Sequence, residues 1–226
     1  MRSFQWASGT TCSKCGKLLS DNASKNAEEL KEVSGSGEWG VPQSLCEDCA
    51  DLVHKFDRGF SCAEYGSCKH IVHGFKYGGR AYYGEFIADA MFDRICGELP
   101  PIDLVLPVPM YPEKEKKRGY NQADVIGRSL AKKLGLPYDD AILKRERNTG
   151  AMSGLKSSDR AENIRGAFRI LPHRADLIRG KRLLLTDDIY TTGSTINECA
   201  DVLKTAGASE VDFIVFAVGS DSDHKF

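Results

Sequence analysis

At residues 183–195 the chain reads Leu-Leu-Leu-Thr-Asp-Asp-Ile-Tyr-Thr-Thr-Gly-Ser-Thr. The apolar run at 182–186 predicts a buried strand, and two adjacent carboxylates, Asp187 and Asp188, follow at its C-terminal end. Ligands of open parallel sheets bind outside the carboxyl ends of the strands. A hydroxyl-rich turn comes next, and the apolar spacing over residues 194–206 predicts a helix directly after it. The pattern therefore predicts a ligand site at a strand–turn–helix junction.

The turn has the chemistry of an anion site. Backbone amides at the start of a helix, together with the helix dipole, favour a bound phosphate. Gly193 lets the backbone approach such a group closely, and hydroxyls surround it at Thr191, Thr192, Ser194 and Thr195. Carboxylates repel phosphate and instead suit ribose hydroxyls, or Mg²⁺ bridging to them. We therefore expect a ribose 5-phosphate site; the alternative is that the turn only caps the helix.

Apolar periodicity extends this unit into an alternating α/β domain, predicted at residues 59–226. Helices are predicted within residues 80–97 and 121–134, the second capped by Asn121 and ended by Gly135. Short apolar runs predict further strands at 103–107, 141–144, 167–171 and 211–218. Strands that alternate with helices favour a mostly parallel sheet with helices on both faces.

Four of the eight cysteines form two Cys-x-x-Cys pairs, Cys12 with Cys15 and Cys46 with Cys49. Two such pairs indicate a structural Zn²⁺ held by four thiolates, whereas one pair alone could be redox-active. The metal would stabilise a small module, predicted at residues 1–58, that has little core of its own. The alternative is four idle thiols.

The other four cysteines are expected to be unligated. Cys96 and Cys199 fall on the apolar faces of predicted helices, which predicts that both are small core side chains. Cys62 and Cys68 could extend the metal region, but free thiols are favoured there.

The charge pattern indicates where an anionic ligand would bind. The net charge is −1, yet residues 113–182 carry 18 basic and 9 acidic side chains. An anion is expected there, with a solvated basic face as the alternative. No stretch approaches the roughly 20 apolar residues of a membrane span. The N-terminus has no apolar signal core, so we expect a cytoplasmic protein without membrane insertion.

Several motifs in one order resemble those of a known family. After the cysteine pairs come Val105-Leu-Pro-Val-Pro109, Arg118-Gly-Tyr-Asn-Gln122, Ser153-Gly-Leu155, Arg160-Ala-Glu-Asn-Ile-Arg-Gly-Ala-Phe168 and the acid–turn motif. Together they resemble the ComF/GntX family (competence protein F, or ComFC). The acid–turn motif resembles the phosphoribosyl-pyrophosphate (PRPP) signature of type I phosphoribosyltransferases. The resemblance implies an α/β, Rossmann-like phosphoribosyltransferase fold with a small N-terminal zinc-binding module.

The resemblance also implies roles for matching residues. Asp187 and Asp188 would hold the ribose of PRPP, with Mg²⁺, and are implied to be catalytic together with Lys117 and Arg118. Lys76 is a further candidate, with a surface lysine as the alternative. Residues 145–155 would form a mobile flap over the site. The implied PRPP and phosphate contacts also include Pro109, Lys114, Ile189, Tyr190, Thr191, Thr192, Gly193, Ser194 and Thr195.

Three functions compete at this point. One is Mg²⁺-dependent transfer of phosphoribose from PRPP to an acceptor, with release of pyrophosphate. Another is a competence module that handles single-stranded DNA during DNA uptake, together with helicase or recombination proteins. A third is a sensor that binds PRPP without turnover.

Overall fold

A computed structural model of the protein describes residues 10–19, 44–149 and 162–219. The helices are α1 (Glu47–Asp51), α2 (Tyr65–Tyr77), α3 (Tyr83–Ile95), α4 (Pro112–Arg118), α5 (Gln122–Leu134) and α6 (Ser194–Thr205). The strands are β1 (Gly59–Glu64), β2 (Leu104–Pro107), β3 (Leu143–Arg145), β4 (Phe168–Ile170), β5 (Arg182–Tyr190) and β6 (Glu210–Val218). A 3₁₀ turn covers Pro172–Leu177.

Four strands form a parallel sheet in the order β1-β6-β5-β2. Helices cover both of its faces, as predicted. On one face α6 buries Ile196 and Leu203, and on the other α3 and α5 bury Ile87, Ile126 and Leu130. Strands β3 and β4 pair with each other in a separate antiparallel ribbon. Apolar burial on both faces explains the nearly continuous hydrophobic runs of β5 and β6.

Strand β5 is longer than predicted, since it continues to Tyr190. Its partner β6 is apolar to Val218, so the ladder continues and pairs Asp187 with Val215. The two acids therefore lie within the strand, and successive strand residues point to opposite faces of a sheet. Their backbone is set by the ladder, whereas the sequence had predicted them just beyond the strand.

Sequence periodicity did not predict β1, α2 and α4. Helix α2 buries only Cys68, Val72 and Phe75 among its 13 residues, and the described α4 residues include none that is buried. The other predicted helices agree with the structure, including the Asn121 cap, whose side chain accepts a hydrogen bond from the Ala123 amide. None of the helices described here has the length and apolar character of a membrane-spanning segment.

The isolated cysteines follow the prediction with one correction. Cys199 is buried in the core, and Cys62 and Cys68 are buried free thiols whose pKa burial raises to about 12. Cys96, however, is exposed, so its prediction as a core residue was wrong. It follows the last residue of α3 with extended backbone angles, which turn it away from the apolar helix face.

Candidate functional site

The four paired cysteines come together in one buried cluster. Every Sγ atom of Cys12, Cys15, Cys46 and Cys49 lies within 4.8 Å of the others, and two of them, from Cys15 and Cys46, are 3.6 Å apart. Four sulfurs bound tetrahedrally at about 2.3 Å from one Zn²⁺ are about 3.8 Å apart, which matches this spacing. The cluster therefore fits a structural zinc ion.

The cysteine pairs are held in place by their own backbone. The Cys12 carbonyl accepts a hydrogen bond from the Gly16 amide at 2.9 Å, and the Cys46 carbonyl accepts one from the Cys49 amide at 3.0 Å. Gly16 has φ 74°, and a β-carbon there would lie 2.8 Å from the Gly59 carbonyl oxygen. Only glycine suits this turn, because the first pair approaches β1 too closely for a side chain.

The acidic pair lies at the C-terminal end of β5. Asp188 is buried and Asp187 is partly exposed, and the Asp188 amide donates to Asp187 Oδ1 at 2.8 Å. Burial, and then the negative charge of Asp188, raises the pKa of the Asp187 carboxyl to about 8. Near neutral pH the Asp187 carboxyl is therefore mostly protonated.

Lys76, from the last turn of α2, neutralises the buried acid. Its Nζ lies 2.8 Å from Asp188 Oδ2, with the two side chains 21% and 7% exposed. Burial would lower the pKa of Lys76, but the attraction of Asp188 outweighs it and raises that pKa above its ordinary value. The surface-lysine alternative is therefore wrong. A signal in the sequence is the spacing, since Lys76 follows the buried Cys68 and Val72 at four-residue steps.

The hydroxyl-rich turn leads into α6 as predicted. Gly193, at the helix N-terminus, has φ 75°, and no side chain among the described residues caps the first amides. The Thr192 and Ser194 hydroxyl oxygens are 2.9 Å apart, and Thr191 is exposed. The alternative that these hydroxyls serve only as a helix cap does not fit, because the amides keep no side-chain partner there.

Two residues before the turn point inward. The Tyr190 ring is 2% exposed and stacks on Phe213 with centroids 5.1 Å apart. Ile189 packs against the core on the helix α3 side of the sheet. Ile189 and Tyr190 were both predicted to contact phosphate. Because their side chains pack in the core, only their backbone at the strand end is available for such a contact.

The predicted pyrophosphate cations lie on α4 and near it. Arg118 extends over the Tyr77 ring, with Cζ 5.3 Å from the centroid, and its Nη1 donates to Gln122 Oε1 at 2.6 Å. Its positive charge opposes, without reversing, the rise in the pKa of Lys76 that Asp188 produces. Lys117 is exposed and faces solvent.

Lys114 connects α4 to the segment that follows β3. Its Nζ donates to the Thr149 carbonyl at 2.8 Å. Burial, and then the charges of Arg145 and Arg118, lowers the pKa of Lys114. Burial also lowers the pKa of Arg145, while the nearby Asp187 raises it. The positive charges of Lys114 and Arg118 on α4 and of Arg145 on β3 therefore act on one another, and Asp187 acts on Arg145.

The loop after β2 borders a cavity of about 480 Å³. Pro109 lines it together with Lys144 and Arg145. The Val108 amide donates to the Thr186 carbonyl at 3.0 Å, which holds this loop beside β5. The predicted flap is described only as far as residue 149, so residues 150–155 lie outside the described part of the chain.

Comparisons with known proteins show what the chain is similar to. The family model "Phosphoribosyl transferase domain" matches residues 121–225. DNA utilization protein YhgH of Salmonella typhi is 30% identical over 179 residues, which are 76% of this chain and 77% of that protein. Competence protein F of Haemophilus influenzae is 36% identical over 109 residues, 48% of this chain and 47% of that protein. The chain thus spans about half the length of competence protein F in this match.

Adenine phosphoribosyltransferase from Thermoanaerobacter pseudethanolicus aligns with a TM-score of 0.39 at 15% identity. The alignment covers 62% of this chain and 82% of that protein.

Proposed function

The chain belongs to the ComF family and carries a phosphoribosyltransferase-like domain, and from this premise we propose that it binds PRPP with Mg²⁺. Asp188 and Asp187 accept the ribose hydroxyls, directly or through the metal. The amides and hydroxyls at 191–195 bind the 5-phosphate. Lys114, Lys117 and Arg118, with Pro109 beside them, face the pyrophosphate.

The observation that carries this proposal is the acidic pair beside a turn with uncapped amides. One carboxylate is fixed by Lys76 at 2.8 Å, so its second oxygen is oriented without a conformational search. Lys114, Arg118 and Arg145 supply fixed positive charge where a pyrophosphate would leave. Mg²⁺, when bound, would neutralise pyrophosphate oxygens as charge develops.

Ligand-induced stabilisation tests the proposal. With PRPP at about 100 times its Kd, we expect the free energy of unfolding to rise by about 2.7 kcal/mol. Asp188→Asn and Arg118→Ala should reduce that increase, because each removes a proposed contact. Lys132→Ala, on an exposed position of α5, is the matched control and should respond like the wild type. No stabilisation by millimolar PRPP with Mg²⁺ would overturn the proposal.

Turnover is a separate question with its own assay. Pyrophosphate release across a panel of bases and amines distinguishes an enzyme from a sensor. Release that depends on one acceptor supports transfer of phosphoribose, since the leaving group departs only when the acceptor attacks. Binding of PRPP without release for any acceptor supports the sensor.

A second candidate function is binding of single-stranded DNA during DNA uptake, in keeping with relatives that are named for competence and DNA utilization. Its support is a surface on α2 and on the loop between α2 and α3, rather than the basic segment 113–182. Tyr77 and Tyr82 are 67% and 69% exposed there. A cavity of about 610 Å³ beside Tyr77 is lined by glycines and by Lys69, His70, His73 and Arg80, with no acidic residue among its described lining. Exposed aromatics with cations suit stacked bases and phosphates.

Salt-dependent binding to a single-stranded oligonucleotide tests this second function. We expect the apparent affinity to fall steeply with added salt, and Lys69→Ala with Arg80→Ala to make the slope of log affinity against log salt concentration shallower by about 1.4. Tyr82→Ser should weaken binding without changing the slope, because stacking releases no counterions.

Lys117→Ala with Arg118→Ala tests the basic segment in the same assay. Affinity unchanged by all of these substitutions would contradict a specific surface. Helicase or recombination proteins remain proposed partners of this function.

A further inference from the structure

Aromatic rings connect the cysteine cluster to the turn at 191–195. Lys14, between the first two cysteines, donates from Nζ to the Phe56 carbonyl at 2.5 Å and lies 5.4 Å above the Phe56 ring centroid. Phe56 meets Phe213 edge to face at 4.9 Å. Phe213 stacks on Tyr190 with an interplanar angle of 7°. The rings of Phe56, Phe213 and Tyr190 are all at most 2% exposed.

The last ring in this series lies directly beneath the turn. A β-carbon built on Gly193 would be 2.3 Å from the Tyr190 hydroxyl and 2.7 Å from its Cζ. The Gly193 backbone therefore rests on the ring edge with no space between them. Gly193 also accepts the hydrogen bond from the Asn197 amide at 2.8 Å, so its position sets the first turn of α6.

Phe213 makes equally close contacts with the backbone at the cysteine end of the series. A β-carbon on Gly59 would lie 2.3 Å from Phe213 Cζ and 2.8 Å from the Cys15 carbonyl oxygen. The Gly59 amide also donates to the Lys14 carbonyl at 2.8 Å. Phe213 is thus packed against the same backbone that holds the cysteine turn, and close-packed interiors transmit such displacements.

We propose that Phe213 and Tyr190 are positioning residues through which metal occupancy of the cysteine cluster holds the 191–195 turn in its anion-binding shape. With the four thiolates tied to one ion, Lys14 holds Phe56 against Phe213, and the Gly59 backbone packs against Phe213 from the cysteine turn. Phe213 then presses Tyr190 against Gly193. Loss of the metal frees the cysteine turns. Tyr190 is then no longer pressed against Gly193, and the turn at 191–195 loses its support. The inference rests on the proposed function only in naming phosphate as the occupant of the turn.

Amide hydrogen exchange on the full chain tests this coupling without any ligand. We expect removal of zinc by a chelator to speed exchange of the amides at 192–197 by about tenfold. Amides in the middle of α5, on the other face of the sheet, should keep their rates. Unchanged exchange at 192–197, alongside faster exchange around the cysteines, would overturn the proposal.

Substitutions separate positioning from simple packing. Tyr190→Phe keeps the ring under Gly193 and should retain the response to zinc, whereas Tyr190→Leu should lose it. Phe213→Leu, with zinc bound, should by itself speed exchange at 192–197 by about tenfold. If chelation unfolds the whole chain, the α5 amides will also exchange fast. In that case the comparison of zinc-loaded Phe213→Leu with zinc-loaded wild type tests the coupling. Wild-type protection of 192–197 in zinc-loaded Phe213→Leu would contradict the coupling.

Calorimetry with PRPP distinguishes this inference from the proposed function. If zinc-loaded wild type binds PRPP, coupling predicts about tenfold weaker binding in Phe213→Leu and no weakening in Tyr190→Phe. By reciprocity, PRPP should raise the affinity for zinc by the same factor, which competition with a colorimetric chelator at equilibrium measures. If zinc-loaded wild type does not bind PRPP, the proposed function fails, while the exchange measurements decide the coupling alone.

Discussion

Lys76 and Asp188 show how two residues far apart in sequence define one site. Neither charge is tolerable alone at its depth, because a buried ion without a partner loses its hydration. Their 2.8 Å pairing brings the last turn of α2 to the tip of β5. The pair therefore both closes the fold and presents an oriented carboxylate.

Removing the lysine should be costly. We expect Lys76→Met to lower the free energy of unfolding by about 3 kcal/mol, because it leaves the Asp188 carboxylate buried without its cation. Urea denaturation measures this loss. Lys76→Arg keeps the charge and is the matched control. The double variant Lys76→Met with Asp188→Asn should recover most of the stability, and failure to recover it would contradict the pairing.

Asp187 should make stability depend on pH. Its folded-state pKa of about 8 lies above the ordinary value of 3.8, so the folded protein holds a proton that the unfolded chain releases. The contribution of this carboxyl is therefore greatest below about pH 4 and is lost as the pH rises towards 8. In metal-free buffer, the stability advantage of Asp187→Asn over wild type should grow across that range and then level off. Thermal unfolding from pH 5 to 9 checks this, and an advantage that shrinks with pH would contradict it.

At the scale of elements, the β5–turn–α6 unit depends on one backbone geometry. Gly193 adopts a left-handed conformation, and Tyr190 fills the space where a side chain would go. Because Gly193 adopts the left-handed conformation that changes the chain direction between β5 and α6, the other residues of the turn can carry hydroxyl side chains. The pattern of acids, hydroxyls and glycine was therefore readable from sequence, since each residue type serves a local geometry.

Gly193→Ala tests that geometry. We expect a loss of about 1–2 kcal/mol from the left-handed conformation alone, with more from the contact with Tyr190. PRPP-induced stabilisation should fall as well, because the first amides of α6 would be displaced. Gly180→Ala, also at positive φ but with open space around it, is the matched control and should show only the conformational part. Equal effects of the two substitutions would contradict a contact between Gly193 and Tyr190.

At the scale of the whole molecule, the cysteine cluster is packed against the sheet. Its four sulfurs belong to the same buried cluster as Phe56, Phe213 and Tyr190. The predicted boundary at residue 58 stays a prediction, but contacts across it are extensive. The Asp57 amide donates to the Val211 carbonyl at 2.8 Å, and the Ser61 hydroxyl donates to the Gly16 carbonyl at 2.6 Å.

The metal should therefore stabilise more than its own turns. We expect about one zinc ion per chain by atomic emission, and a lower melting temperature for Cys46→Ser, because one of the four ligands is lost. Cys96→Ser is the matched control, since that exposed cysteine lies outside the cluster. Zinc-free protein purified without chelator, with wild-type melting, would contradict a structural metal.

Local features of the sequence sufficed for much of this picture. The Cys-x-x-Cys pairs, the alternation of apolar strands with helices and the acid–turn motif predicted the cluster, the parallel sheet and the order of the site, because residue type and pattern along the chain carry each of these signals. Only the tertiary structure revealed that Lys76 pairs with Asp188, that β5 carries the acids within its ladder, and that Tyr190 supports Gly193. These facts depend on contacts between residues distant in the chain, whose energies come from burial and pairing that no short stretch of sequence contains.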